Sequence, residues 1–187
     1  MPVFKTDFPG LVIYEPNVFE DNRGYFFESY NEKVFIENGI DMHFVQDNQA
    51  KSTYGIIRGL HYQLDPFAQT KLVRVISGRI IDAVVDLRKN SPTYARAFTI
   101  ELSAENKKQL LVPKGFAHGY SVISETAEVF YKCDTFYNKE SEGGITWNDP
   151  ALNIDWQIPA GKAIVSEKDA AQPLFENCRN TFVLQGS

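Results

Sequence analysis

Short runs rich in β-branched and aromatic residues recur along the chain, separated by Gly, Pro, Asn and Ser at the spacing of a strand and a turn. The pattern predicts strands over residues 11–14, 25–30, 44–47, 56–63, 71–77, 79–87, 94–102, 109–112, 118–123 and 128–135. Gly78, between two such runs, reads as a turn glycine. One helix stands out: Asn31 caps a turn of Glu32, Lys33, Val34, Phe35 and Ile36, and Gly39 supplies the left-handed exit. About ten strands in one chain must close into a barrel or stack as a double-sheet jelly roll, since open edges invite aggregation. The expected fold is therefore all-β, a jelly-roll barrel with short peripheral helices.

Alternation within the strands says what the interior holds. Over 71–77, Lys71, Val73 and Val75 share one face and Leu72, Arg74 and Ile76 the other, so each face carries one cation among aliphatics. His61 shares a face with Gln63, and Tyr131 with Cys133 and Thr135. Polar side chains interleaved with apolar ones on several strands suit a barrel that encloses a ligand cavity.

The chain has 187 residues, of which 43% are hydrophobic and 23% charged, with nine Tyr and fourteen Phe, a composition that buries enough apolar surface to fold. One domain over residues 1–187 is expected, with about 176–187 peripheral. Nineteen Lys and Arg against 24 Asp and Glu leave a net charge of −5, the wrong sign for a surface held to nucleic acid or anionic lipid. Cys133 and Cys178 are too few and too far apart for a disulfide scaffold or a four-cysteine zinc site. The first ten residues lack a signal-peptide core, and Asp82 and Asp86 interrupt the most apolar strand. The expectation is a cytoplasmic protein with reduced thiols and no membrane partner.

Two segments resemble half-motifs of the cupin jelly roll: Gly55 with His61 and Gln63, and Pro113 with Gly115 and His118. A metal-binding cupin needs two histidines and a carboxylate in the first segment, where this chain has one histidine and no Glu. His43, His61 and His118 make a three-histidine site arithmetically possible, but spacing alone does not bring them together. A metal site is therefore not expected. Read singly, His61 and His118 are as compatible with hydrogen-bonded interior histidines as with catalysis. In the same way, Tyr131 reads as a packed strand tyrosine, Lys71 as a solvated strand residue and Arg23 and Arg58 as surface charges.

Longer motifs appear in order: Asp21-Asn-Arg-Gly24 with Phe27-Glu28, Val45-Gln-Asp-Asn48, Arg58-Gly-Leu-His-Tyr-Gln63, Lys71-Leu-Val-Arg74, Val85-Asp-Leu-Arg88, Ser91-Pro-Thr-Tyr94, Pro113-Lys-Gly-Phe-Ala-His-Gly119, Tyr131-Lys132 and Ser166-Glu-Lys-Asp169. Together, over about residues 3–175, they resemble the dTDP-4-dehydrorhamnose 3,5-epimerase family. The resemblance implies a cupin-fold, metal-free, cofactor-independent homodimer acting on a dTDP-4-dehydro-6-deoxyhexose in L-rhamnose biosynthesis. It makes His61 the base, Asp169 its orienting partner, Lys71 the charge facing an enolate oxygen and Tyr131 the acid on the opposite sugar face. It sets Arg23, Arg58 and His118 near the diphosphate and Glu28, Gln46, Asp47 and Asn48 at the nucleotide. Tyr137 matches a ring that stacks on thymine, and Glu142 and Lys168 match further binding positions.

The chemistry suits those residue types. Imidazole, with an ordinary pKa of about 6.5, accepts a proton near neutrality, whereas a phenol at about 10 is protonated and can donate. Gln49-Ala-Lys-Ser-Thr53 and Ala68-Gln-Thr70 depart from the usual pattern without touching the expected acid or base, leaving the nucleotide base less determined than the reaction. His43 and Cys133 read as structural. Enolisation is also the first step of C3-only or C5-only epimerisation and of 3,4-ketoisomerisation, so those readings remain open, as do a metal-dependent cupin oxygenase and a non-catalytic sugar-binding jelly roll.

Overall fold

The computed structural model describes residues 3–159 and 161–185. In chain order the elements are β1 (Val3–Lys5), β2 (Val12–Tyr14), β3 (Phe19–Asp21), β4 (Gly24–Phe26), α1 (Glu32–Glu37), β5 (Gln46–Thr53), β6 (Ile56–Gln63), β7 (Lys71–Ser77), β8 (Arg79–Asp86), β9 (Ala97–Ser103), β10 (Gln109–Val112), β11 (Phe116–Val122), β12 (Thr126–Cys133), β13 (Glu142–Gly144), β14 (Ile164–Val165) and α2 (Glu167–Ala170). One sheet runs β1-β2-β10-β7-β12-β5 and a second β13-β6-β11-β8-β9, with β14 added parallel to β6. The two face each other as a jelly roll of the cupin type. β13 and β14 cover the two halves of the outer edge of β6, which protects it from strange partners.

Three apolar layers follow from the alternation. Val73, Val75, Leu110 and Val129 from the first sheet meet Ile80, Val84, Leu102 and Phe116 from the second, and that is the interior. On the outside of the first sheet, Leu72, Leu111 and Tyr14 pack under Phe35 of α1. Outside the second sheet, Val85, Ala117 and Tyr62 lie under Ile145, Trp156 and Phe182. β8 is thus covered on both faces, which is why it reads as a nearly continuous apolar run. The tail expected at the periphery packs inward at Phe182, which is 6% exposed, while residues 186 and 187 lie outside the described residues.

Strands over 56–63, 71–77 and 109–112 form as the pattern predicts, and the Asn31-capped helix forms as α1, with Gly39 at φ 78°. Gly78 turns between β7 and β8 at φ 77°, where an added Cβ would lie 2.0 Å from the Thr126 carbonyl. Two expectations need correction. Residues 44–47 foreshadow only the start of β5, which continues to Thr53 because pairing to β12, rather than propensity, holds its polar residues extended. The strand expected over 25–30 shrinks to β4, one arm of an exposed hairpin with β3, because no described strand other than β3 pairs with it. The strands β1, β3, β13 and β14 are too short or too polar to carry a periodic signal.

Candidate active site

One cleft, of about 290 Å³, opens between the sheets and is lined by Arg58, His61, Lys71, His118, Tyr120, Tyr131 and Asp169, among others. A backbone irregularity puts two of these on one wall. His61 pairs with His118 and Arg58 with Tyr120, so β6 has one more residue than β11 between the same two rungs. A bulge of this kind breaks period-two alternation and lets Arg58 and His61, three apart, both face inward. The extra residue sits at Gly59, φ 118°, where a Cβ would come within 2.6 Å of the Gly119 Cα. Only glycine fits so close a crossing.

His61 Nε2 lies 2.6 Å from Asp169 Oδ1, and the Gly59 N–H donates to Asp169 Oδ2 at 3.1 Å. Ser166 positions that carboxylate by capping α2, its Oγ accepting from the Asp169 N–H at 3.1 Å. Burial works to raise the Asp169 pKa, yet the hydrogen bond and charge of His61 and the Gly59 amide hold it below the ordinary carboxylate value. With Nε2–H given to an anionic Asp169, the lone pair of His61 is on Nδ1. The imidazole side chain is 32% exposed, so it reaches the cleft.

The opposite wall comes from the other sheet. Lys71 begins β7 on the same face as Val73 and Val75, and its Nζ is 5.8 Å from the centre of the Tyr131 ring on β12. Burial lowers the Lys71 pKa, opposed by Cys133, Asp82 and Glu142. Burial raises the Tyr131 phenol to about 12, with Cys133 and Tyr120 adding to the rise, so it is protonated at neutral pH.

A polar rim continues outward. Glu142 Oε1 pairs with Lys168 Nζ at 2.6 Å, and the Tyr137 hydroxyl donates to Glu142 Oε2 at 3.3 Å. Burial would raise the Glu142 pKa, but Lys168, with help from His61 and Tyr137, lowers it. Gln46 accepts from the Tyr137 N–H at 3.1 Å and donates to Asn48 at 3.1 Å, and Asn48 in turn reaches the Cys133 sulfur at 3.6 Å. Tyr137 is 55% exposed, a ring open to stacking.

Three expected binding residues lie elsewhere. Asp47 points to the far face of β5, between the inward Gln46 and Asn48, and pairs with Lys132 at 3.0 Å; strict alternation requires this. Arg23 is on the exposed β3–β4 hairpin, paired with Asp21, and Glu28 accepts from Asn31 at 3.3 Å. His118 does line the cleft, but its Nε2 is held by Asp82 at 2.9 Å. Asp82, fully buried, and Tyr120 were not foreseen; a lone carboxylate within Ile-Ile-Asp-Ala-Val-Val signals a buried charge that must have a partner. Among the described residues no group of three or more His, Cys, Asp or Glu side chains gathers as a metal site, and no helix is long and apolar enough to cross a membrane.

Known proteins resemble this chain over most of its length. The chain is 52% identical over 170 residues to dTDP-4-dehydrorhamnose 3,5-epimerase of Shigella flexneri, covering 90% of this chain and 93% of that one. The crystal structure of dTDP-4-dehydrorhamnose 3,5-epimerase from Elizabethkingia anophelis superposes with a TM-score of 0.91 at 56% identity, over 95% of this chain and 97% of that chain. A 3,5-epimerase structure from Legionella pneumophila in complex with dTDP-4-keto-L-rhamnose gives a TM-score of 0.90 at 44% identity, over 94% of this chain and 93% of that chain. The family model described as dTDP-4-dehydrorhamnose 3,5-epimerase matches residues 5–177, and the chain belongs to that family.

Proposed function

We propose that the protein is an isomerase that inverts C3 and C5 of dTDP-4-dehydro-6-deoxy-D-glucose to give dTDP-4-dehydro-L-rhamnose. The observation that carries this reading is the opposition of His61 on one sheet, held by Asp169 of α2, to Tyr131 and Lys71 on the other sheet, across one cleft. The C4 ketone acidifies the protons on both neighbouring carbons. His61 Nδ1 removes one of them, and Asp169 stabilises the imidazolium that forms. The electron pair moves to the ketone oxygen, where Lys71 supplies the compensating charge. Tyr131 then delivers its proton to the opposite face of the same carbon. Solvent takes the proton from His61 and restores the phenol, and a second cycle inverts the other carbon. Arg58 and His118 face the diphosphate, while Gln46, Asn48, Tyr137, Glu142 and Lys168 address the nucleotide.

Incubation of dTDP-4-dehydro-6-deoxy-D-glucose with the protein in deuterium oxide, followed by NMR, tests the reading. Label at C3 and C5 supports it, label at one carbon makes the protein a single-site epimerase, and no label defeats it.

We propose also that the protein works as a homodimer. Phe19, Tyr25 and Phe26 on the β3–β4 hairpin are 65%, 60% and 67% exposed, an apolar patch that a second copy would cover. Seated at the neighbour's cleft, the same hairpin would bring Arg23, and Glu28 just beyond its end, to the nucleotide. Sedimentation of Phe26→Asp tests this: a monomer that binds dTDP poorly is expected, and an unchanged oligomer overturns the use of this face.

A further inference from the structure

Residues 135–138 follow β12 and carry the rim tyrosine, Tyr137, yet no described strand pairs with them. Backbone that leaves a sheet needs other partners for its N–H and C=O groups. Three glutamine side chains supply them here. Gln69 Nε2 donates to the Thr135 carbonyl at 2.7 Å, and the Tyr137 N–H donates to Gln46 Oε1 at 3.1 Å. Gln63 holds the chain on both sides of Tyr137: its Nε2 donates to the Phe136 carbonyl at 3.3 Å, and its Oε1 accepts from the Asn138 N–H at 2.7 Å. The same Nε2 also donates to the Phe67 carbonyl at 2.7 Å, so the surroundings fix which way the amide points. Gln63 is 5% exposed and ends β6, two residues after His61, which makes it a rigid anchor. Beyond it, Asn138 Oδ1 accepts from the Ser141 N–H at 3.0 Å and secures the far end of the loop.

We propose that Gln63, assisted by Gln69, is a positioning residue for Tyr137, and that these amides set the ring in advance for a nucleotide base. A ring on a loose loop loses freedom when a base stacks on it, and that loss is subtracted from the affinity. Gripping the backbone on both sides removes much of the loss before the ligand arrives. The Tyr137 hydroxyl, donating to Glu142 Oε2, then orients a ring whose attachment is already fixed. Gln63 thus acts on binding through Tyr137, while His61 on the same strand acts on the sugar. The inference rests on the assignment of Tyr137 to the nucleotide.

The test measures dTDP affinity by calorimetry for wild type, Gln63→Met, Gln69→Ala, Tyr137→Ala and the variant carrying both Gln63→Met and Tyr137→Ala. Gln63→Met keeps the buried volume and removes every hydrogen bond of the amide, so affinity should fall by about three- to tenfold, the cost of ordering one side chain on binding. With Tyr137 already replaced, the same substitution should change affinity by less than about twofold. A fold that had merely loosened would weaken binding equally in both backgrounds, and that result overturns the proposal. Undiminished affinity in Gln63→Met overturns it as well. Should Gln63→Met not fold, Gln69→Ala, at a partly exposed position, decides in its place: a fall in affinity supports the proposal and wild-type affinity overturns it. Wild-type affinity in Tyr137→Ala defeats the assignment of Tyr137 to the nucleotide and the proposal with it, whereas dependence on Tyr137 without dependence on Gln63 defeats the proposal alone.

Discussion

His61 and His118 stand opposite each other in register on β6 and β11, and each directs Nε2 at a buried carboxylate, His61 at Asp169 and His118 at Asp82. The two pairs differ in exposure. The His61 side chain is 32% exposed and that of His118 is 7%, so the first ring can reach a reacting carbon while the second is enclosed. A mobile proton belongs with the first and a fixed donor with the second.

His61→Asn keeps a polar side chain but removes the basic nitrogen. Deuterium exchange at C3 and C5 should fall by about 10² to 10⁴, the usual contribution of a general base. A rate within tenfold of wild type would remove His61 from the mechanism. Asp169→Asn should slow the same exchange while leaving dTDP affinity nearly unchanged.

Tyr131→Phe deletes the phenolic proton and keeps the ring in its strand. Exchange with retained configuration should persist, while inverted product falls by about 10² or more. The acid acts in its protonated form, which is lost as pH rises through its pKa. With that pKa pushed up to about 12, the ratio of inversion to exchange should stay flat through pH 10, where an ordinary phenol is half ionised. A ratio that halves by pH 10 would contradict the buried acid, and parallel loss of exchange and inversion in the variant would make Tyr131 necessary for enolisation.

Exhaustive chelation should leave epimerisation intact, because the Lys71 charge meets the developing enolate where a metal would otherwise act as Lewis acid. Loss of activity restored by a divalent metal would contradict this.

Asp86 accepts from Arg88 Nε and Nη2, each at 2.8 Å, and from the Ser91 and Thr93 hydroxyls at 2.6 and 2.7 Å. Although burial works against it, these donors place its pKa below the ordinary value. A folded pKa below the unfolded one contributes stability that is present above the unfolded value of about 3.9 and is lost as pH falls through the folded value. Asp86→Asn should therefore destabilise by about 3 kcal/mol or more at pH 7 and flatten the loss of stability below pH 4, as read by denaturant unfolding. Unchanged stability at pH 7 would mean that the cage contributes nothing net.

What the sequence determined by itself was local and chemical. Alternation found β6, β7 and β10, the Asn31 cap found α1, and the ordered motifs carried the residue types for enolisation. Alternation put Lys71 on one face with Val73 and Val75, but each face of β7 carries one cation among aliphatics, and only packing against the second sheet makes this face the inward one. Other facts depended on backbone that no periodic signal encodes. The extra residue at Gly59 turns Arg58 and His61 to the same wall, against the alternation a strand would show alone. Asp47 and Arg23 follow the reverse lesson: a motif keeps neighbours together in sequence, while a strand sends Asp47 to the face opposite Gln46 and Asn48 and a hairpin carries Arg23 away from the cleft. The pairing of His61 with Asp169, 108 residues apart, and the facing of His61 by Tyr131 arise only when two sheets close over one interior. Opposite-face proton transfer needs groups on two walls, and walls are made by tertiary packing, not by any segment of the chain.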